Sequence, residues 1–399
     1  SSRGLGDVYK RQVQDYSIIR DVITIKDIPF YGMVNENVGY LRITNFSVNT
    51  ANETKDALIS LMQNGASNVI IDLRDNPGGL LSSSLDLLDL ILPKNLELVS
   101  TKGRAGKSIK NYKTLNNALI PDTINMAVLI NGASASASEI VAGVLQDYDR
   151  AIVLGSQSFG KGLVQTVIGI NQETALKITN SKYYIPSGRS LQKREFIDDE
   201  LIANSSVVAD TLFQTKAGRT VVGGGGIGPD VIVKDEGSYP LAASILRSRG
   251  YFKFVQENNN QYSSIDEVLA DEELMVKFKT FIEKNDISGY VDGQEDLKLA
   301  KEKLSKKEEK NLFINNAFSV IEKQIEKTQS TMFEDEKEII QRMVHGEFAF
   351  YYNGYEGRYN IYLEDDTVVQ KAIEIFADES QYLSILSNTE STEVASLNN

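Results

Sequence analysis

The pattern that repeats along this chain is a short, wholly apolar run, then a turn of small residues, then a stretch with helical spacing. Asn68–Leu73 is such a run and reads as a buried strand. The turn Arg74-Asp75-Asn76-Pro77-Gly78-Gly79 follows. Leu80–Leu92 then reads as an amphipathic helix, interrupted by Asp86 and Asp89 and stopped by Pro93. The plan recurs with Met126–Ile130 as strand, Asn131–Ala135 as turn and Ser136–Asp147 as helix, and Ala151–Leu154 predicts a further strand. Upstream, Val38–Ile43 predicts a strand, and Asn49–Gln63 a helix with Ala57, Leu58, Leu61 and Met62 at helical spacing. Residues 18–27 mix apolar and charged positions like an edge strand, with Pro29 and Gly32 as punctuation. Downstream, Leu163–Ile170 and Thr174–Tyr184 are strand-like around a hairpin near Asn171-Gln172. Strands alternating with helices predict α/β layering.

The Gly223–Gly226 run, followed by Pro229, predicts a flexible loop. It makes a poor dinucleotide site, because the strand-like Val231–Val233 follows where a helix is needed. From about Ser238 the pattern changes to long, charged, helix-period segments such as Asp266–Glu283 and Asp296–Thr328, which predict a second, helical domain. Its aromatic set Phe348, Phe350, Tyr351, Tyr352 and Tyr355 is expected to pack a helical core. Asn258–Ser264 reads as a loop and Ser387–Asn399 as a disordered tail.

Composition narrows the chemistry. The chain has 399 residues and a net charge of −13, so it lacks the basic footprint of a nucleic-acid binder. There is no Cys, which excludes disulfides, thiolate nucleophiles and zinc–thiolate sites. The single histidine, His345, lies in a Glu-rich helical stretch, so a multi-His metal site is excluded and a hydrolase needs another general base. No run of about 18 apolar residues is present to span a membrane. Asp7-Val8-Tyr9-Lys10-Arg11-Gln12 resembles the translation of a transposon adapter end, so residues 1–12 are expected to be a sequencing artefact and the chain to be truncated at its start.

Three segments can carry chemistry. In Asn131-Gly132-Ala133-Ser134-Ala135-Ser136-Ala137-Ser138-Glu139-Ile140, small residues crowd the joint between a buried strand and a helix. A serine there can serve as a nucleophile, with helix N-terminal amides to hold its tetrahedral adduct. The blander reading makes the serines N-caps, with Glu139 closing a capping box from Ser136. In Gly155-Ser156-Gln157-Ser158-Phe159-Gly160-Lys161-Gly162, Lys161 is either a solvated lysine or, with no Cys and one His, the candidate base for a serine. Burial would lower its pKa so that it accepts a proton near neutrality. Pro77-Gly78-Gly79 is either an ordinary β-to-α turn or a place where backbone N–H groups meet an oxyanion.

Together these segments, with Ile71–Leu80, Val164-Gln165 and Lys182-Tyr183-Tyr184-Ile185-Pro186-Ser187-Gly188-Arg189-Ser190, resemble the carboxyl-terminal processing proteases, tail-cleaving serine peptidases of bacteria and chloroplasts. The resemblance covers about residues 30–235, and the Gly223–Asp230 segment and Tyr-rich tail are similar to longer members from the Bacteroidota. It implies an α/β fold with a ClpP/crotonase-like protease core and a helical C-terminal domain. It implies Ser136 as nucleophile, Lys161, 25 residues further on, as base, and Gln165 to orient the lysine amine. The oxyanion hole maps onto the backbone N–H groups of Ala137 and of Gly78 or Gly79, with Gly78 preferred. Ser134 and Ser138 are then structural neighbours.

The family carries a PDZ domain before this core, which binds substrate tails by adding them as a strand. Here residues 13–30 resemble only its exit strand and linker, so a PDZ domain is expected upstream in the full-length protein. The expected layout is the artefact 1–12, this remnant, a protease core over 31–237, the helical domain over 238–386 and the tail 387–399. The implied function is endopeptidase cleavage of protein or peptide substrates with apolar C-terminal regions, through an acyl-enzyme. No cofactor, metal or nucleic acid is implied, and a homo-oligomer stays open. The parent protein is expected to be periplasmic, or exported and membrane-associated. The alternative is a non-catalytic module of the same fold that grips peptide tails, though it has no need of Ser136, Lys161 and Gln165 together. A crotonase-type acyl-CoA enzyme would want a basic phosphate pocket and a catalytic carboxylate, and neither is apparent.

Overall fold

A computed structural model describes residues 20–21, 25–103, 109–171, 173–193, 196–197, 200–201, 211–233, 239–305 and 312–387. The expected artefact 1–12, the first residues of the remnant and the tail beyond 387 lie outside the described residues.

The centre is a mostly parallel sheet. Its strands are β1 (Phe30–Met33), β2 (Val38–Arg42), β3 (Asn68–Asp72), β6 (Asn125–Ile130), β7 (Ile152–Gly155) and the short strand Val231–Ile232, in that spatial order. Only the β1–β2 pair is antiparallel. The middle strands are apolar on both faces because both faces are covered. Helices α1 (Thr50–Gln63), α2 (Leu81–Ile91) and α3 (Ala137–Asp147) bury one face, with Leu58, Leu87, Leu88 and Val141 against Val69, Ile71 and Val128. A second sheet runs β5 (Ile109–Lys113), β4 (Glu97–Gly103), β9 (Ala175–Tyr184), β8 (Leu163–Gly169). Its β8–β9 hairpin agrees with the apolar pattern, whereas β4 and β5 have no long apolar run to announce them.

The remaining chain is helical: α4 (Pro240–Arg247), α5 (Gly250–Asn258), α6 (Ile265–Leu269), α7 (Leu274–Lys284), α8 (Gln294–Ser305), α9 (Leu312–Asp335), α10 (Lys337–Glu364), α11 (Thr367–Ala377) and α12 (Glu379–Ser387). Two expectations are corrected here. The stretch expected as one helix over Asp266–Glu283 is broken into α6 and α7. The described residues of 18–27 carry no strand.

Helices α4 to α7, α9 and α10 build their own core around Phe254, Phe278, Ile340 and Phe348. Of the aromatic set, Phe348 is fully buried, but Tyr351 and Tyr355 are exposed. Helix α10 breaks at Gly354, whose φ of 65° is left-handed and suits glycine. The last helices then return to the first domain. Val369, Ala372, Ile375 and Tyr382 cover Tyr40, Ile70, Leu129 and Leu154 on the open face of the central sheet. The α/β core is therefore completed by residues about 240 positions downstream of α3, beyond the composition change at 237.

Candidate active site

The two β-to-α joints meet at the C-terminal ends of β3 and β6. The Ala135 N–H donates to the Asn76 carbonyl at 3.0 Å, and the Ser138 hydroxyl donates to the same oxygen at 2.9 Å. The Ser134 hydroxyl donates to the Leu73 carbonyl at 2.8 Å. Ser134 and Ser138 are fully buried and hold the joints together. Ser136 differs from both. It is the N-cap of α3, half-buried, with φ 57° and ψ −111°. A non-glycine residue held at positive φ is strained, and such strain gathers at functional sites. The small residues on either side let the chain turn this tightly.

Gly78 is packed against the same turn. A Cβ on it would fall 2.8 Å from the Ser136 Cβ and 2.6 Å from the Ala135 carbonyl oxygen, so only glycine fits. Its N–H donates to Asn76 Oδ1 at 2.9 Å. The Gly79 and Ala137 N–H groups donate to no other described residue. The expected preference for Gly78 over Gly79 as a free donor therefore meets an N–H already committed to Asn76.

Glu139 connects this joint to the lysine loop. Its fully buried carboxylate accepts from the Ser136 N–H at 2.8 Å and the Lys161 N–H at 2.8 Å, both on Oε2. Oε1 accepts from the Ser158 hydroxyl at 2.6 Å and the Gly160 N–H at 2.7 Å. The glycine run expected to be a flexible loop backs this segment. Gly223 ends a strand paired with Thr211, and a Cβ on Gly226 would fall 2.6 Å from Ser158 Oγ. The Ile227 N–H donates to that hydroxyl at 2.7 Å. At Gly226 the chain passes too close to the lysine loop for a side chain, and at Gly223 the crowding comes from Phe213 and Arg189.

Parts of the chain are similar to known proteins. Residues 37–202 match the profile of peptidase family S41. That segment is similar to the peptidases of this family. Residues 241–376 match a second profile, "Probable PDZ-protease, C-terminal helical domain". The carboxy-terminal-processing protease of Bartonella bacilliformis is 42% identical over 182 residues, 45% of this chain and 41% of that protein. The carboxyl-terminal-processing protease of Synechocystis is 35% identical over 192 residues, 47% of this chain and 44% of that protein. The matched part thus spans well under half the length of these relatives. Among solved structures, the photosystem II D1 C-terminal processing protease is similar, with a TM-score of 0.41 and 23% identity, covering 54% of this chain and 50% of that one.

Two site expectations meet a different geometry. The Lys161 side chain is exposed rather than desolvated, and its ammonium makes no hydrogen bond or ion pair with the described residues. Gln165 does not reach it. A register shift in β8 between Val164 and Gln165 pairs Gln165 with Thr179, and its exposed amide lies 3.4 Å from the Thr179 hydroxyl. What approaches the serine instead is Tyr183 of β9, buried, with its hydroxyl 3.4 Å from Ser136 Oγ and hydrogen-bonded to the Lys161 carbonyl. Burial pushes this phenol well above its ordinary pKa, so it stays protonated. Tyr183 and Glu139 both sit inside motifs visible in the sequence. Their contacts with the lysine loop depend on how strands far apart in sequence pack, which spacing does not reveal.

His345 lies on α10 and lines a cavity of about 990 Å³ between the strand ends and the helical region, with Arg74, Asn131 and Tyr362. Burial lowers its pKa. No described hydrogen bond links it to Ser136 or Lys161.

Proposed function

We propose that this chain is a serine endopeptidase that cuts protein substrates near their C-termini. The observation that carries the reading is one carboxylate oxygen, Glu139 Oε2, that holds the backbone of both Ser136 and Lys161 inside a segment matching the S41 profile. Ser136 Oγ attacks the scissile carbonyl carbon while Lys161, as the neutral amine, takes the hydroxyl proton. The oxyanion is held by the Ala137 N–H and, because the Gly78 N–H is taken by Asn76, by the Gly79 N–H. Collapse breaks the C–N bond, and the Lys161 ammonium protonates the departing amine. Water then hydrolyses the acyl-serine. The lysine works only once its long side chain enters the site and a bound substrate excludes water around it, since desolvation favours the neutral amine. Neither His345 nor Gln165 has a part in these steps.

The names of the relatives, carboxy-terminal-processing proteases, support this choice of substrate end. A PDZ domain upstream in the full-length protein, and an exported or periplasmic location, complete the proposal. The test is incubation of the 399-residue chain with an unstructured polypeptide, beside Ser136→Ala, with a fluorophosphonate probe mapped by peptide mass. Cleavage lost in Ser136→Ala and labelling at Ser136 are expected. Labelling at Ser134 or Ser138, or cleavage undiminished in Ser136→Ala, would refute the assignment.

A further inference from the structure

We propose that Tyr183 is a catalytic residue for the second half of turnover: its hydroxyl donates a hydrogen bond to Ser136 Oγ as that oxygen leaves the acyl group. The inference rests on the peptidase reading above. In the steps given there, backbone N–H groups hold the oxyanion and Lys161 carries the protons. Ser136 Oγ itself has no fixed donor at the moment it takes up negative charge. Among the described side chains, only Tyr183 reaches that oxygen, at 3.4 Å.

The phenol is fixed in place. Tyr183 is buried and packs in the apolar core of the first domain. Its N–H donates to the Gly162 carbonyl at 3.1 Å, and its hydroxyl donates to the Lys161 carbonyl. A phenol has one proton to donate, and here two acceptors lie within its reach. In the free protein the Lys161 carbonyl is the nearer and holds that proton. A hydrogen bond to an anionic oxygen is shorter and about twice as strong as one between neutral groups. When water has added to the acyl-serine and the intermediate collapses, the bond from Oγ to carbon breaks and its electron pair moves onto Oγ. Rotation of the phenolic O–H, with the ring held still, then turns its proton from the carbonyl to Oγ. The phenol keeps that proton, because burial holds it above its ordinary pKa. The Lys161 ammonium supplies the one that restores the serine hydroxyl. An interaction that strengthens only as charge develops raises the rate and leaves substrate binding unchanged.

Tyr183→Phe removes the hydroxyl and keeps the ring. The measurement is pre-steady-state cleavage of a chromogenic ester of a short apolar peptide, with the intact mass of the protein followed over time. Wild type is expected to form an acyl adduct on Ser136 and to clear it. Tyr183→Phe is expected to form the adduct within about threefold of the wild-type rate but to clear it about 10- to 100-fold more slowly, so that the adduct accumulates. Clearance is read on molecules already acylated, so a partly unfolded sample does not imitate the effect. Should Tyr183→Phe fail to fold, a ring-fluorinated tyrosine in place of Tyr183 decides: it is a more acidic donor and is expected to speed clearance about twofold. Clearance at the wild-type rate in either variant would overturn the proposal. So would equal slowing of both steps in Tyr183→Phe, which would leave the hydroxyl only a support for the Lys161 loop. Wild-type protein that forms no adduct, or an adduct that Ser136→Ala forms as well, would overturn the peptidase reading and this proposal with it. An adduct on Ser136 that wild type and Tyr183→Phe clear equally fast would count against Tyr183 alone.

Discussion

Asp72 and Glu139 both lie fully out of water, and the protein holds them in opposite ways. Asp72, at the end of β3, is surrounded by charge: Arg42 at 2.8 Å, Arg74 at 2.6 Å and the Tyr40 hydroxyl at 2.7 Å. Burial pushes its carboxyl up, but the two guanidinium groups and their hydrogen bonds outweigh this and hold it well below the usual carboxylate range. Arg74 then continues to Asp366 at 2.8 Å, and Asp366 caps α11 through the Val368 and Val369 N–H groups. This cluster therefore ties the strand ends to the helix that covers the sheet. Glu139 is met only by N–H and O–H dipoles from two loops. Charge pairing across long side chains joins large pieces and tolerates motion of the stems. Short bonds to backbone N–H groups fix loops to one another, which is what a reacting pair requires.

The largest effect is expected at Asp72. Asp72→Ala takes the shared, fully buried counter-charge from Arg42 and Arg74, which keep only the more exposed Asp75 and Asp366, and is expected to cost about 3–5 kcal/mol, read by denaturant unfolding. A cost below about 1 kcal/mol would show that the cluster is not a clamp. Acid should weaken the same cluster. Because the folded-state pKa of Asp72 is depressed, its contribution is present above the unfolded value of about 4 and is lost as pH falls below it. The melting temperature should fall from about pH 4 downward in wild type, and less steeply in an Asp72→Asn variant. Asp366→Ala removes both a cap and an ion-pair partner. It is expected to cost about 1–2 kcal/mol, seen as earlier amide exchange in α11. Smallest of all is Gln165→Ala, where an exposed side chain and one long hydrogen bond are lost. Stability should change by less than about 0.5 kcal/mol. A tenfold fall in kcat would instead place Gln165 beside Lys161 during turnover.

Much of the core was legible because its strands are apolar on both sides and each is followed by a turn of small residues. Asn68–Leu73 and Met126–Ile130 announce themselves in this way, and so do the joints at Gly78-Gly79 and Ser136. The strands β4 and β5 were hidden, since Glu97–Gly103 carries Glu, Ser, Thr and Lys on a sheet that is wet along much of its length. Arg74 and Asp366 are 292 residues apart, so no local pattern reveals that pair. Glu139 was visible as a cap three residues after Ser136. Its three bonds to residues 158–161 arise only when β7 lies beside β6. Gly224–Gly226 lie in a loop as expected, but Gly223 ends a strand and Gly226 is held against Ser158, because glycine serves close approach as well as freedom and composition alone does not separate the two.

The proposed mechanism makes Ser136 and Lys161 one unit. Its most direct test is the rate of peptide cleavage by Ser136→Ala, Lys161→Ala and the double variant, with Lys161→Arg beside them. Both single variants are expected to fall to the same residual rate and the double variant to be little worse, because members of one catalytic unit are not additive. Lys161→Arg should be equally inactive, since a guanidinium stays protonated and cannot take the serine proton. Substantial cleavage by Lys161→Arg, or losses in the two single variants that multiply in the double, would contradict it.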